Sequence, residues 1–274
     1  MFPMVWNSRA IKMFFYSRSF HFMLNARRSA LGSPITYYKW NGNFLYYRPG
    51  TSDCDVIKKI LLKKRRGAEY WVPQEINPKV ILDIGGNIGI AAVYFARRFP
   101  NAKIYSFEPV LENFEILQKN ISSYPNIIAF HVALGDKTTT ASLFASKDKA
   151  NHGGYSFFSR LNDAASSISV GVQHAGDFLE KNNITEVDLI KIDAEGAEYK
   201  ILTSLKQDMV EKIKFIIGEL HEQDDFETLA YLSRWFRIGV VKSLIGPLGY
   251  FAALKIKLKD ELPDQILRLA SPIS

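Results

Sequence analysis

The sequence predicts an α/β protein with a mostly parallel, seven-stranded sheet, a reversed C-terminal hairpin and an N-terminal extension. From Lys79 onward, short apolar runs of strand length alternate with stretches whose apolar residues recur at helical spacing. Strands that are separated by helices favour a parallel sheet with right-handed crossovers. Because 47% of the 274 residues are hydrophobic, the chain can bury a large core, which excludes a disordered or fibrous protein.

A basic and aromatic arm is predicted over residues 1–34. Seven cations precede Asp53, the first acidic residue, whereas the remainder of the chain carries 28 basic and 28 acidic residues. The arm suits three roles, namely helices packed on the main domain, peripheral contact with an anionic membrane surface, or an organellar targeting peptide. A secretory signal is not predicted, because Lys12, Arg18 and His21 interrupt the apolar runs.

Residues 35–78 are predicted to form a hairpin and a helix that pack on the main domain. Aromatic and β-branched residues flank Asn41-Gly42, which is a strong two-residue turn signal. Apolar residues at helical spacing predict a helix over 53–66. The single cysteine, Cys54, excludes an intramolecular disulfide and is expected to be a small buried residue.

The main domain is predicted over residues 79–274. In chain order, the predicted parallel strands lie within 79–85, 102–109, 126–134, 187–196 and 214–222. The predicted helices lie at 89–99, 111–122, 197–205 and 226–236. Two further strand-like runs, at 240–246 and 250–258, are joined by the turn residues Pro-Leu-Gly and complete seven strands as a hairpin.

A long segment at 136–176 breaks this alternation. Its two ends, 140–146 and 167–173, resemble strands, while the middle is rich in Ser, Asn, Asp and Gly. A loop of this length in a compact domain is usually functional or mobile, so we expect a substrate loop at the rim of the site. His152 and Tyr155 are either substrate contacts or exposed loop residues.

The turn after the first predicted strand indicates a nucleoside site. It reads Asp-Ile-Gly-Gly-Asn-Ile-Gly, and an acidic residue at the end of the second strand follows its last glycine by 19 positions. Glycines let the backbone approach a ligand, and such an acid accepts hydrogen bonds from both ribose hydroxyls. The predicted cofactor-binding residues are Asp83, Gly85, Gly86, Asn87, Gly89, Glu108, Pro109 and, near the adenine, Asp136 or its backbone neighbours.

The spacing of this turn distinguishes between cofactors. It departs from the G-x-G-x-x-G pattern that receives a pyrophosphate, and no G-K-S or G-K-T phosphate loop is present. Asp83 precedes the first glycine, and a carboxylate at that place suits a cationic ligand. S-adenosyl-L-methionine, with an ammonium and a sulfonium, meets this requirement better than a dinucleotide.

Four segments, ILDIGGNIGIAAVYFA, YSFEP, HVALGD and DLIKIDAEGAEYKIL, together resemble the FkbM family of class I methyltransferases. The resemblance covers about residues 45–225. It implies a Rossmann-like fold, S-adenosyl-L-methionine as cofactor, and methyl transfer to a hydroxyl of a sugar in a polysaccharide, glycolipid or other glycoconjugate, or of a small natural product. The sequence departs from the family's common pattern at His174 and Ala175.

Catalytic residues are expected beyond the fourth and fifth strands, where they face the cofactor. We predict Asp193, Glu195 and His221, with His221 as the general base because the reference pKa of histidine is about 6.5. Asp193 would orient the acceptor hydroxyl or cap the following helix, whereas Glu198 is expected to interact with the helix dipole. A divalent metal held by Asp193, Glu195, Glu219 and His221 is an open alternative.

Other functions also remain open from the sequence alone. Because the body of the chain is neutral, no nucleic acid is expected as a partner, and a glycan or small-molecule hydroxyl is the expected acceptor. Methylation of nucleic acid or protein, and a non-catalytic cofactor-binding membrane adaptor, are the alternatives. No stretch approaches the roughly 20 apolar residues of a membrane helix, so a cytoplasmic protein, peripheral to the membrane through its arm, is expected.

Overall fold

A computed structural model describes most of the chain. The described residues are 8–27, 34–63, 68–145, 155–156, 167–221, 224–243 and 251–258. The strands are β1 Thr36–Trp40, β2 Asn43–Tyr47, β3 Val80–Ile84, β4 Lys103–Phe107, β5 Ile127–Phe130, β6 Ala133–Gly135, β7 Thr139–Ala145, β8 Tyr155–Ser156, β9 Ser167–His174, β10 Leu189–Ile192, β11 Phe215–Leu220, β12 Phe236–Ser243 and β13 Phe251–Leu258.

Two helices precede β1, and the other described helices connect strands. They are α1 Ser8–Ser17, α2 Phe20–Asn25, α3 Ser52–Ile57, α4 Ile90–Arg98, α5 Leu111–Ile121, α6 Ala175–Lys181, α7 Glu198–Ser204, α8 Gln207–Lys212 and α9 Asp225–Leu232. Helix α3 continues directly as a π-helical turn at Lys58–Leu62. The helix that the sequence predicts over 53–66 is therefore present from Ser52 to Leu62, and residues 64–67 lie outside the described part.

The central sheet has seven strands in the order β12-β13-β11-β10-β3-β4-β5. The pairs within β11-β10-β3-β4-β5 are parallel, whereas β13 runs antiparallel to both β11 and β12. The α/β class with a mostly parallel sheet is thus confirmed. From β3 the chain adds β4 and β5 on one side of the sheet, and from β10 it adds β11 on the other side. Open α/β sheets bind their ligands at such a switch point, which here lies between β3 and β10.

Both faces of the central sheet are covered. Successive residues of a strand point to opposite faces, so neighbours in β3 enter different cores. Ile81 packs in the same core as Phe95 of α4, while Leu82 packs on the other face with Leu202 of α7. These helices bring the carboxyl ends of β3, β4 and β10 to one edge.

The N-terminal extension packs on one of these faces. Phe22 and Met23 of α2 and Tyr47 of β2 are buried in the core that contains Ile81. The predicted hairpin is present, and Asn41 and Gly42 have φ values of 47° and 87°, as a tight two-residue turn requires. Helix α2 of the arm therefore packs on the main domain, which is one of the three predicted roles.

The segment predicted as a long loop contributes most of a second sheet. Its strand order is β6-β9-β7-β8, and the two strand-like ends of the segment correspond to β7 and β9. Residues 146–154 and 157–166 lie outside the described part, and His152 is among them. His174, where the sequence departs from the family pattern, caps α6 because its Nδ1 accepts the Asp177 backbone N–H at 3.2 Å.

A buried ion pair joins the two central strands. The parallel register places Lys191 of β10 beside Asp83 of β3, and Nζ lies 3.3 Å from Oδ1. Lys191 Nζ also donates to the backbone oxygens of Ile84, at 3.1 Å, and Gly85, at 2.5 Å. Burial lowers the pKa of Lys191, but the Asp83 and Asp193 carboxylates more than offset this, so its pKa is raised and the ammonium is retained.

We expect Lys191→Met to lower the free energy of unfolding by about 3–5 kcal/mol, because Asp83 is left as an uncompensated buried charge. Adding Asp83→Asn to the Lys191→Met variant should recover part of this loss. Urea denaturation of both variants measures the difference. A double variant that is as unstable as the single one would contradict the role assigned to the pair.

Candidate active site

A cavity that is open to solvent lies at the carboxyl ends of β3, β4 and β10. Among the residues predicted from sequence, those that line it are Gly85, Asn87, Glu108, Pro109, Asp193 and Glu195. Tyr155 of β8, which the sequence marked as a substrate contact or an exposed loop residue, also lines the cavity. Residues predicted to bind the cofactor and residues predicted to be catalytic therefore line the same cavity.

The glycine turn packs so closely against neighbouring residues that side chains would not fit at its glycine positions. Gly85 has φ +77°, and a Cβ there would lie 1.9 Å from the backbone oxygen of Asp193. A Cβ on Gly86 would lie 2.3 Å from Ser106 Oγ. Gly89, at φ +82°, packs against Leu117 of α5. Gly86 and Gly89 do not line the cavity but allow the turn to lie against its neighbours.

Glu108 projects into the cavity from the end of β4 and is almost fully buried. Its two carboxylate oxygens accept the backbone N–H groups of Asn87, at 2.7 Å, and Val110, at 2.8 Å. Burial raises the pKa of Glu108 to about 7 in spite of these hydrogen bonds. Each oxygen can accept a further hydrogen bond, so the side chain can receive hydroxyl donors.

Two predicted cofactor residues lie elsewhere. Asp83 was expected to face a cationic ligand, but it is fully buried behind the cavity wall, where Oδ2 accepts the Ser106 hydroxyl at 2.8 Å and Oδ1 lies 3.3 Å from Lys191 Nζ. Asp136 is exposed and does not line the cavity, whereas its backbone neighbours Ala133 and Leu134 do. The positive charge that Asp83 faces therefore comes from the protein itself.

Three carboxylates surround one imidazole at the ends of β10 and β11. We call Asp193, Glu195 and Glu219 the acidic cluster. His221 Nε2 lies 3.8 Å from Asp193 Oδ1, 3.9 Å from Glu195 Oε2 and 3.7 Å from Glu219 Oε2. Glu195 has φ +52°, a strained conformation of the kind that functional loops retain.

The surroundings of His221 change its expected role. Burial lowers the pKa of His221, but the hydrogen bond to Glu198 and the charges of Asp193 and Glu195 outweigh it and raise the pKa to about 10. A raised pKa favours the protonated imidazole and so counts against proton acceptance by His221, whereas the prediction relied on an unperturbed pKa. The assignment of the general base stays a prediction.

Glu198 lies in the first turn of α7, where the predicted dipole interaction is made, and it has a further role. Its carboxylate accepts the backbone N–H groups of Ala194 and Gly196, both at 2.9 Å, and it contacts His221 Nδ1 at 2.9 Å. The residue thus folds the loop that carries Asp193 and Glu195 and fixes the imidazole that faces them.

The geometry also bears on the metal alternative. Asp193, Glu219 and His221 each offer one ligand atom, and these atoms lie within 4.8 Å of one another. One cation placed between them would touch all three side chains, and Nδ1 of His221 would still contact Glu198, as the second shell of a metal site requires. Metal binding here stays a prediction.

The comparison with known proteins decides the family. The family model described as the methyltransferase FkbM domain matches residues 83–254. The chain belongs to the FkbM methyltransferase family. S-adenosyl-L-methionine is therefore its cofactor, as predicted. This FkbM methyltransferase is 29% identical over 181 residues to Methyltransferase 1 of Beauveria bassiana. The aligned region covers 58% of this chain and 73% of the relative.

Two further relatives carry names that mention their chemistry. The 2-O-methyltransferase NoeI of Sinorhizobium fredii is 24% identical and covers 54% of this chain and 65% of its own. The hexuronic acid methyltransferase AglP of Haloferax volcanii is 24% identical, and the aligned region covers 52% of this chain and 56% of AglP. A crystal structure of FkbM from Methylobacillus flagellatus KT matches with a TM-score of 0.43 at 17% identity and covers 66% of this chain and 44% of that one.

The cavity of this FkbM methyltransferase fits the cofactor. Asn87 Oδ1 is buried at the cavity wall, where no described residue donates to it, so it is an acceptor for a ligand donor. Glu108 offers further acceptor positions for ribose hydroxyls. The carboxylates of Asp193 and Glu195 attract a ligand that carries an ammonium and a sulfonium.

Sequence reasoning missed two supporting residues. The Tyr70 hydroxyl donates to Asp193 Oδ2 at 3.0 Å, and burial raises the pKa of Tyr70 well above its ordinary value, so it remains a donor. Arg48 Nη2 donates to Oδ1 of Asn113, which lines the cavity, at 2.7 Å. Both precede the segment that the family model matches, although both lie within the range 45–225 that resembles the family. Their contacts to Asn113 and Asp193 are long-range, so no local pattern indicated them.

We expect the affinity for S-adenosyl-L-methionine to fall about tenfold between pH 8 and pH 6, because Glu108 gains a proton as the pH drops through about 7 and loses acceptor capacity. Glu108→Gln should bind more weakly at pH 8 and lose most of this pH dependence. Calorimetry of the wild type and the variant at both pH values measures the affinity for S-adenosyl-L-methionine. An equal pH dependence in the wild type and the variant would rule out Glu108 as its origin.

Proposed function

We propose that this methyltransferase transfers the methyl group of S-adenosyl-L-methionine to a hydroxyl oxygen, and that the acceptor is a sugar of a glycoconjugate. The observation that carries the proposal is the position of Asp193 and Glu195, which line the same cavity as Glu108. Carboxylates that face the cofactor cavity can orient a hydroxyl and receive its proton. The names of NoeI and AglP support a sugar hydroxyl.

The cofactor supplies a methyl group that is already activated by its sulfonium. The chain must therefore align the acceptor oxygen and accept its proton. We assign proton acceptance to Asp193, because it lines the cavity whereas His221 does not. Glu195 orients the acceptor from the same loop. The imidazolium of His221 offsets the negative charges of Asp193 and Glu195, whereas burial raises the pKa of Glu219 to about 8 and favours its neutral carboxyl at pH 7.

We expect Asp193→Asn to lower kcat at saturating cofactor by about 10²–10⁴-fold, because a general base is lost. Methyl glycosides of hexoses and hexuronic acids, tested as acceptors by formation of S-adenosylhomocysteine, measure this. Asp208→Asn on the exposed surface of α8 is the matched control and should leave kcat unchanged.

Other outcomes of the same assay contradict the proposal. Methyl groups found only on RNA, on protein or on a phenolic natural product would replace the sugar acceptor, and no turnover with any acceptor would favour the adaptor function. Activity that EDTA abolishes and magnesium restores would make the acidic cluster a metal site instead of a base.

We also propose that helix α1 contacts an anionic membrane surface. None of the helices in the described ranges is long and apolar enough to cross a bilayer. Helix α1 nevertheless exposes Ile11, Phe14, Phe15 and Tyr16, and 72% of Phe15 is accessible. Lys12 lies among them, and no acidic residue precedes Asp53, so aromatic side chains and positive charge occur together as at a membrane interface.

We expect the double variant Phe14→Ser, Phe15→Ser to bind vesicles containing phosphatidylglycerol at least tenfold more weakly, because burial of a phenylalanine contributes about 1.5–3 kcal/mol. Phe226→Ser, which removes an 83% exposed phenylalanine from α9, is the control and should bind like the wild type. Vesicle sedimentation measures both, with thermal unfolding as the check on folding. Equal binding by the wild type and the double variant would refute the contact.

A further inference from the structure

Tyr70 reaches the active site from outside the family-matched segment. It lies in the chain between the α3 region and β3, whereas the FkbM match begins at residue 83. The residue is 4% exposed, and its hydroxyl donates to Asp193 Oδ2 across 123 positions of sequence. A residue of the N-terminal extension thus contacts a cavity carboxylate directly.

A second contact ties Tyr70 to the cofactor turn. Lys191 Nζ lies 5.2 Å from the centre of the Tyr70 ring, which is within the range of a cation–π interaction. The same ammonium donates to the backbone oxygens of Ile84 and Gly85. Tyr70 therefore touches both the ammonium that holds the glycine turn and the Asp193 carboxylate, which lies beside that turn.

The two oxygens of Asp193 have different surroundings. Oδ2 accepts the Tyr70 hydroxyl at 3.0 Å, whereas Oδ1 lies 3.8 Å from His221 Nε2. The backbone of Asp193 is held as well, because its carbonyl oxygen packs directly against Gly85, within 1.9 Å of the position that a Cβ there would take. With the backbone fixed, the remaining freedom of the carboxylate is rotation about its side-chain bonds, and the Tyr70 hydrogen bond restricts that rotation.

We propose that Tyr70 is a positioning residue that fixes the Asp193 carboxylate against the cofactor cavity, so that the N-terminal extension completes the active site. The proposal deepens the proposed function and rests on it in assigning proton acceptance to Asp193. A merely structural Tyr70 would contribute to stability and leave the position of the Asp193 charge unchanged.

The experiment compares the affinities of S-adenosyl-L-methionine and S-adenosylhomocysteine, measured by calorimetry. The two ligands differ by a methyl group and by the sulfonium charge, so their affinity ratio reports the field of nearby carboxylates. Displacement of Asp193 in Tyr70→Phe should lower the preference for the charged ligand about threefold, as expected when one carboxylate moves by about 1 Å. In Asp193→Asn the preference should fall at least as far, and adding Tyr70→Phe should change it no further.

Tyr38→Phe is the matched control. The Tyr38 hydroxyl is buried in the same extension and donates to the Ser17 backbone oxygen at 2.7 Å, away from the cavity. Tyr38→Phe should lower the thermal midpoint while leaving the affinity ratio at its wild-type value. A wild-type ratio in Tyr70→Phe, or a fall that persists in the Asp193→Asn background, would overturn the proposal.

The result is separable from the fate of the proposed function, because neither binding measurement needs an acceptor. If no sugar is methylated, the acceptor proposal fails. The affinity ratio still decides whether Tyr70 positions Asp193.

Discussion

The ion pair between Asp83 and Lys191 is the constraint on which the active site depends. Both side chains are buried in the central sheet, and the register of β3 against β10 brings them side by side. Because Lys191 also donates to the oxygens of Ile84 and Gly85, the pair holds the cofactor turn at a defined height above the sheet. A buried ammonium is stable there only because carboxylate and carbonyl oxygens surround it. The sheet register thus creates the contact that holds the backbone of the cofactor turn.

Local patterns predicted the elements of the fold, and long-range contacts determined the details of the site. The strands, the glycine turn and Glu108 followed from periodicity and spacing, which are properties of neighbouring residues. The partner of Asp83 could not be predicted in this way, because the register of parallel strands joined by long crossovers leaves no local trace. Tyr70 was missed for the same reason, since its acceptor, Asp193, lies 123 positions away.

The surroundings of His221 show a second limit of sequence reasoning. A reference pKa describes an isolated side chain, whereas the hydrogen bond to Glu198 and the charges of Asp193 and Glu195 raise the pKa of His221 to about 10. The residue types were all visible in the sequence, but their mutual distances were not. The sequence therefore located the residues of the site but did not show how they change the pKa of one another.

The second sheet separates part of the cavity wall from the groups that hold the cofactor turn. It is formed largely by the segment between β6 and α6, and it places Tyr155 at the cavity wall. The groups that hold the cofactor turn lie elsewhere, on β3 and β10. Substitutions in β8 can therefore change what a ligand meets in the cavity without altering the contacts of Asp83 and Lys191.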